Sequence, residues 1–176
     1  TSSGLGLEAA KIALEVAGLS ASELDMIILA TLSPDHEFPG TACFLQEKLG
    51  VSGIPALDVR QQCTGFIYAL SIADQFIRTG TYSRVLVVGA EVHSKGLDHS
   101  PRGRDVSVLF GDGAGAFVLD GVEVEDTKKA RHIWSTHLHA DGAYAKDLWI
   151  AAPGCATGAE RIGRNIVEDA SGFPKM

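Results

Sequence analysis

The stretch Ala56-Leu-Asp-Val-Arg-Gln-Gln-Cys-Thr-Gly-Phe66 decides the fold, because it joins a short strand directly to the clearest helix pattern in the chain. Ala56–Val59 has the length and flanks of a strand, whereas Thr64–Thr79 repeats apolar residues at helical spacing and ends before a glycine. Arg84–Ala90 follows as a β-branched run that is apolar on both faces, which is typical of a buried strand. This strand–helix–strand order predicts an α/β fold with a mixed, mostly parallel sheet covered by helices.

The residues before this unit repeat the same alternation. Helices are predicted from Leu7 to Ala17 and over Thr41–Leu49, because apolar side chains recur at helical spacing and a glycine follows each segment. Asp25–Ala30 lies between them as a short apolar run, which predicts a further buried strand. The alternation therefore extends from the first helix to the strand at Arg84–Ala90.

The alternation of strands and helices stops in the second part of the chain. Val106–Phe110 and Ala116–Leu119 are predicted to be two strands joined by the glycine turn at 111–115, with one more strand over Ile133–Leu138. Periodicity fades over 141–176, which predicts a loop-rich connection.

Composition narrows the function classes. The chain has 176 residues and a net charge of −7, so it lacks the basic surface that nucleic-acid binding requires. No apolar run approaches the ~20 residues that span a bilayer. Three irregularly spaced cysteines do not form a disulfide framework, which favours a reducing, cytoplasmic setting.

Cys63 is the main candidate for chemistry, because it stands between a strand and the start of a long helix. The unpaired N–H groups and positive dipole end of that helix favour a thiolate, and Gly65 leaves room for a substrate near the backbone. The alternative is a buried structural cysteine, which is the usual fate of a free thiol. Cys43 and Cys155 have no such setting and are interpreted as structural.

Other polar clusters point less clearly to a site. His137 and His139 are two residues apart with Asp141 close behind, a pattern that can start a metal site, but no third ligand is evident and no metal is expected. The glycine turn lacks the Lys-Ser/Thr ending of a phosphate loop. Arg102 and Arg104 form a small basic loop, which either solvates a surface or holds a nucleotide phosphate or adenine.

Several motifs together resemble one family, β-ketoacyl-ACP synthase III, over nearly the whole chain. The motifs stand in that family's order and rough spacing: Phe38-Pro-Gly-Thr-Ala-Cys43, Gln62-Cys63-Thr-Gly-Phe66, Leu109-Phe-Gly-Asp-Gly-Ala-Gly-Ala116 and Ser135-Thr-His-Leu-His-Ala-Asp-Gly142. The resemblance implies a thiolase-like fold, of which residues 1–176 would form one of two similar halves, the amino-terminal one, truncated at both ends. Residues 141–176 would then lead toward the second half.

The resemblance also implies a reaction and its partners. The family transfers an acyl group from acyl-CoA to a cysteine, and malonyl-ACP then loses CO₂ and attacks the acyl-enzyme in a decarboxylative Claisen condensation that gives a β-ketoacyl-ACP in fatty-acid synthesis. No cofactor is implied beyond these substrates, and the partners are acyl-CoA, acyl carrier protein and a second copy in a homodimer.

Site residues carry over by motif. Cys63 matches the nucleophile, and its backbone N–H would help form the oxyanion hole. Phe38 matches a residue that reaches across the dimer into the neighbour's acyl pocket. Arg104, counted back from the glycine motif, or Arg102, counted forward from Cys63, matches an arginine that contacts the adenine of CoA.

The family's catalytic His and Asn lie in the second half and have no counterpart in these residues. The chain alone is therefore expected to be inactive in condensation and to carry only the acylation step. Two rival interpretations remain open. One is another thiolase-fold condensing enzyme, either a head-to-head acyl-CoA condenser or an HMG-CoA synthase-like protein. The other is a non-catalytic acyl-CoA-binding partner.

Overall fold

The structure is a computed structural model that describes residues 1–150. The helices are α1 (Ser2–Ala17), α2 (Thr41–Leu49), α3 (Gly65–Arg78) and α4 (Arg104–Ser107), and the strands are β1 (Met26–Ala30), β2 (Ala56–Val59), β3 (Arg84–Glu91) and β4 (Gly113–Asp120). Gly18, Gly50 and Gly80 follow the first three helices with φ near +70°, a conformation that glycine adopts without steric cost. The helices and strands predicted before Ala90 are confirmed, except that α1 begins at Ser2 and not at Leu7.

The sheet has the strand order β2-β1-β3-β4. β1 pairs in parallel with both β2 and β3, whereas β4 runs antiparallel to β3. The carboxyl ends of β1, β2 and β3 consequently share one edge of the sheet, and the amino end of β4 meets them there. The α/β fold with a mixed, mostly parallel sheet is the predicted one.

Helices cover the sheet on both faces. Ile27, Leu29, Leu86 and Val88 lie with α1 and α2 in one fully buried cluster, while Ile28, Val85 and Val87 lie with α3 in a second. The alternation follows from the period-2 geometry of strands, which sends successive side chains to opposite faces. β1 is buried along its whole length, as its unbroken apolar run predicts.

Two strand predictions in the second part are wrong. Val106–Phe110 is not a strand, because Arg104–Ser107 forms α4 and the next residues form a turn. Val108 and Leu109 are 77% and 61% exposed, so this apolar run does not enter the core. The glycine motif therefore opens β4 instead of joining two strands. Ile133–Leu138 is also not a strand, although it lies next to α3, with Thr136 Oγ1 2.9 Å from Ser71 Oγ.

The chain divides into two compact units. The first comprises Thr1–Val92 with Asp112–Leu138 and holds the sheet with α1, α2 and α3. The second comprises His93–Gly111 with the described residues 139–150 and holds α4. The expected single domain over 1–176 stays a prediction. Of the expected loop at 141–176, only 141–150 is described, and it contains a short 3₁₀ turn at Gly142–Tyr144. Within 1–150, no helix has both the length and the apolar character to cross a membrane.

Candidate active site

Cys63 lies in a single 3₁₀ turn, Gln62–Thr64, between the end of β2 and the first residue of α3. Cys63 is exposed, so it is not the buried structural cysteine of the alternative interpretation. Gln62 holds φ at +45°, a backbone region that residues other than glycine adopt at a cost. The turn thus presents the thiol at the carboxyl edge of the sheet, where strands of open α/β folds usually place their sites.

The amino end of α3 has no side-chain cap. Thr64 occupies the cap position without a capping hydrogen bond, and its hydroxyl instead donates to the Gln61 carbonyl at 2.9 Å. The Gly65 N–H donates to the Gln62 carbonyl, so no side chain occupies this helix start. The positive dipole end of α3 therefore faces the turn, where it favours an anion such as a thiolate or a developing oxyanion. An added Cβ on Gly65 would come within 3.3 Å of Ala30 Cβ, so the start of α3 packs against the end of β1. This contact fixes where the turn places the thiol.

A pocket of about 270 Å³ opens in front of Cys63. It is lined by residues from the carboxyl ends of β1 and β3, the amino end of β4 and the start of α3: Ala30, Gln62, Cys63, Phe66, Gly89, Ala90, Glu91, Gly113, Ala114 and Gly115. Added Cβ atoms on Gly113 and Gly115 would meet nothing within 4 Å, so side chains there would extend into open space. The small residues give the pocket an open wall beside the thiol.

Glu91 is the charged residue in the pocket lining. It is the last residue of β3 and pairs with Gly113 of β4. Its carboxylate accepts hydrogen bonds from the turn that follows β1, from Leu32 N at 2.9 Å and from Ser33 N at 3.1 Å. The turn after β1 is thereby held against the end of β3.

The loop that carries Phe38 is fastened on both sides. Before it, the Asp35 carboxylate accepts hydrogen bonds from the Ser3 N–H at 3.0 Å and from the Ser3 hydroxyl, and its side chain is 6% exposed. Burial raises the pKa of Asp35, but the Ser3 hydrogen bonds and the nearby Lys48 charge outweigh it, so the pKa lies below its ordinary value. Phe38 itself is 85% exposed. The ring is therefore presented to the surroundings by a fixed loop.

After Phe38, the chain enters α2, whose amino end is capped by Asp58. This β2 residue accepts hydrogen bonds from Thr41 N at 2.6 Å and from Ala42 N at 2.7 Å and so caps α2 across the sheet edge. An added Cβ on Gly40 would lie 2.8 Å from Asp58 Oδ1, so the close approach requires glycine there. The cap also places a negative charge at the amino end of α2, where Cys43 is found.

The arginine loop belongs to the second unit. Asp98 accepts from Arg102 Nε at 2.8 Å and from Ser100 N at 3.0 Å, and hydrogen bonds from Ser100 and Arg102 hold its pKa at about 2. Gly103 lies so close to the Asp98 backbone that an added Cβ would be 2.0 Å from its carbonyl oxygen. Arg104 is exposed and, within residues 1–150, its guanidinium makes no hydrogen bond or ion pair. The two arginines thus differ in what they can offer a ligand.

The remaining candidates from the sequence fall outside the pocket. Cys43 is an exposed free cysteine outside the pocket lining, and Cys155 lies outside the described residues. His137 lies 3.1 Å from Ser135 Oγ. Among residues 1–150, no group of three or more His, Cys, Asp or Glu side chains is arranged to hold a metal ion.

Sequence reasoning missed most of the pocket wall. Ala30, Glu91 and Gly113 come from three different strands and meet because β3 pairs in parallel with β1 on one side and antiparallel with β4 on the other. A usable signal was present, since polar or small residues directly after buried parallel strands gather at one edge of a sheet.

Comparison with known proteins identifies similar sequences and structures. The family 3-oxoacyl-[acyl-carrier-protein (ACP)] synthase III matches residues 57–142. The β-ketoacyl-[acyl-carrier-protein] synthase III of Methylococcus capsulatus is 48% identical over 153 residues, which cover 87% of this chain and 45% of that protein. The protein of the same name from Allorhizobium ampelinum is 44% identical over 177 residues, which cover 98% of this chain and 54% of that protein.

Solved structures show the same similarity. The crystal structure of 3-oxoacyl-[acyl-carrier-protein] synthase III from Aquifex aeolicus superposes with a TM-score of 0.79 at 40% identity, over 100% of this chain and 49% of that one. The chain therefore spans about half the length of the curated relatives it matches. The thiolase-like fold expected from the motifs is confirmed.

Proposed function

Because this chain belongs to the β-ketoacyl-[acyl-carrier-protein] synthase III family, we propose that it carries the acyl-accepting half of a decarboxylative condensation in fatty-acid synthesis, with Cys63 as the nucleophile. The observation that carries the proposal is the exposed thiol at the uncapped amino end of α3, facing a pocket at the carboxyl edge of the sheet. A reactive thiol needs this combination of access and a positive local potential.

The acylation step follows from this geometry. The Cys63 thiolate attacks the thioester carbonyl of acyl-CoA, and the carbonyl electrons move to the oxygen to form a tetrahedral oxyanion. The backbone N–H of Cys63 and the positive dipole end of α3 stabilise that charge. Collapse of the intermediate breaks the bond to the CoA sulfur, which leaves as thiolate and takes a proton from solvent, while the acyl group remains on Cys63.

Condensation needs more than this pocket offers. Malonyl-ACP loses CO₂, its carbanion attacks the acyl-Cys63 carbonyl, and the Cys63 thiolate leaves as β-ketoacyl-ACP forms. Negative charge develops on the malonyl thioester oxygen during decarboxylation, and losing one preorganised donor typically costs about 10²–10³ in rate. The pocket lining named above contains no His or Asn side chain. Within the described residues, this pocket is therefore expected to support acylation without condensation.

A homodimer accounts for the position of Phe38. An 85% exposed aromatic ring on a fixed loop is unusual for an isolated surface and suits insertion into a pocket on a neighbouring copy. The proposed role is to limit the length of the acyl chain that the partner accepts.

Arg104 is proposed as the residue that meets the adenosine or phosphate part of CoA. Arg102 already forms an ion pair with Asp98 at 2.7 Å. The Arg104 guanidinium is exposed, and within residues 1–150 none of its N–H donors has a partner. Arg104→Ala should raise the KM for acyl-CoA about tenfold, as expected for loss of a charged contact, and Arg102→Ala should change it less. The reverse order would assign the contact to Arg102.

The proposal includes a cytoplasmic location and no resident cofactor. An acyl-accepting thiol needs a compartment that keeps it reduced, and every group in the acylation step is supplied by Cys63, the backbone or the substrate.

Peptide mapping by mass spectrometry tests the proposal. The protein is incubated with acyl-CoAs of two to ten carbons, and each adduct is assigned to a cysteine before and after addition of malonyl-ACP. We expect a short acyl adduct on Cys63 that persists without β-ketoacyl product. Preferential loading of long chains would favour the head-to-head condensing interpretation, and binding of acyl-CoA without any adduct would favour a non-catalytic partner.

A further inference from the structure

Glu91 has more contacts than its place at the end of a strand requires. Its carboxylate accepts hydrogen bonds from Thr31 Oγ1 at 3.2 Å, Leu32 N at 2.9 Å, Ser33 N at 3.1 Å and Ser33 Oγ at 2.5 Å. All of these donors belong to the turn after β1, nearly sixty residues away in sequence. One side chain therefore holds a whole turn at the edge of the Cys63 pocket.

Ser33 extends the same arrangement. Its hydroxyl donates to Glu91 and accepts from the Val92 N–H at 2.8 Å, so it bridges the side chain and the backbone that follows β3. Its carbonyl accepts from the Ser2 hydroxyl at 2.5 Å, which ties the turn to α1 as well. The turn is thus fixed from β3 on one side and from α1 on the other.

This turn leads directly to the loop that presents Phe38. Asp35, the next anchored residue, is bound to Ser3, and its N–H donates to Thr41 Oγ1 at 3.1 Å. Glu91 is also the residue of this network that lines the pocket itself. A shift of the Glu91 side chain would therefore move the pocket wall and the Phe38 loop together.

We propose that Glu91 is a positioning residue for acyl transfer: by holding the Thr31–Ser33 turn, it fixes the pocket wall against which the acyl group of the substrate is aligned with Cys63. This inference rests on the proposed function. Glu91 does not act on the thiol chemistry. Its role is geometric, and it should matter for a bulky acyl-CoA and not for a small reagent that needs no alignment.

Glu91→Gln is a suitable perturbation because it keeps the size of the side chain. The new amide group brings N–H donors toward a turn that consists of donors, so part of the arrangement must reorganise. Ser33→Ala is a milder second variant, since it removes the bridging hydroxyl and leaves both backbone N–H groups in place. Glu15→Gln, on the exposed face of α1, is the matched control.

The experiment compares two rates at Cys63 in each variant, acylation by a short acyl-CoA and alkylation by iodoacetamide, both followed by mass spectrometry. We expect Glu91→Gln to lower the acylation rate about 10- to 100-fold, the range that a small misplacement of a substrate produces, while alkylation changes by less than about twofold. Ser33→Ala should lower acylation less, and the double variant should be no slower than Glu91→Gln alone, because both changes break one arrangement.

The outcomes separate this inference from the proposed function. Absence of a Cys63 adduct in the unsubstituted protein would refute the proposed function. If the unsubstituted protein is acylated and Glu91→Gln is acylated equally fast, Glu91 does not position the pocket. Equal loss of acylation and alkylation would also overturn the inference, because it would indicate a general structural effect.

Discussion

The Asp58 cap predicts a specific loss of stability when it is removed. Its carboxylate binds the N–H groups of Thr41 and Ala42 at 2.6 and 2.7 Å, so Asp58→Ala removes two charge-assisted hydrogen bonds and leaves both donors at the start of α2 unpaired. A lost helix cap costs about 0.5–2 kcal/mol and a lost bond to a charged group about 1.5–3 kcal/mol. Since Asp58 is both the cap of α2 and a charged acceptor, we expect Asp58→Ala to lower the free energy of unfolding by about 2–3 kcal/mol.

Urea denaturation followed by circular dichroism measures this change, and for a protein of this size the melting temperature should fall by roughly 4–12 °C. Glu8→Ala is the control, because Glu8 is exposed and its 2.8 Å ion pair with Lys11 is a surface pair that contributes about 0–1 kcal/mol.

Gly40 provides a second test of the same reasoning. Gly40→Ala should displace the Asp58 carboxylate, because the new methyl group would lie 2.8 Å from Oδ1. In the Asp58→Ala background the same substitution should cost less than about 0.5 kcal/mol, so the two changes should not add. The capping account is refuted if Asp58→Ala unfolds within about 0.5 kcal/mol of the unsubstituted protein, or if the two substitutions add fully.

Three further outcomes follow from the site. Iodoacetamide should alkylate Cys63 several-fold faster than Cys43, although both are exposed. The reason is that the amino end of α3 has no side-chain cap, whereas the Asp58 carboxylate already occupies the amino end of α2. Equal alkylation rates in the native protein would refute the helix-start argument. Phe38→Ala should lengthen the acyl chains accepted and, since the ring is 85% exposed, should cost less than about 0.5 kcal/mol of stability in the single chain; an unchanged chain-length profile would leave Phe38 without its proposed role. The pKa of Asp35 lies below its ordinary value of 3.8, so the stability that its carboxylate contributes is complete above that pH and is lost as the pH falls through the folded pKa. The Asp35→Asn variant should therefore lose less stability than the unsubstituted protein between pH 4 and pH 2. An identical acid transition in the two proteins would contradict the assigned Ser3 contacts.

The first three strands and three helices were predictable because local and tertiary signals agree there. β1 and β3 are apolar on both faces and become buried on both faces, and helices α1 to α3 end near glycines that adopt the left-handed conformation. The position of Cys63 at the turn into α3 follows from the same agreement. The high exposure of Phe38 does not follow from it, because an apolar residue in a loop can be core or surface with the same sequence.

Errors arose where the tertiary partner decides the structure. Val106–Phe110 has the composition of a strand, but β4 occupies the place beside β3, so the run stays outside the sheet and partly forms α4. The role inferred for Glu91 depends on donors near Thr31, and no local pattern connects these two positions. Contacts between distant segments of this kind became evident only from the structure.

The central claim is that Cys63 accepts the acyl group, and intact-mass measurement tests it most directly. The unsubstituted protein, Cys63→Ser and Cys43→Ser are each incubated with a short acyl-CoA, and the mass of the folded protein is followed with time. We expect one acyl group per chain in the unsubstituted protein and in Cys43→Ser, with no thioester adduct in Cys63→Ser. An adduct that persists in Cys63→Ser, or one that disappears in Cys43→Ser, would contradict the assignment.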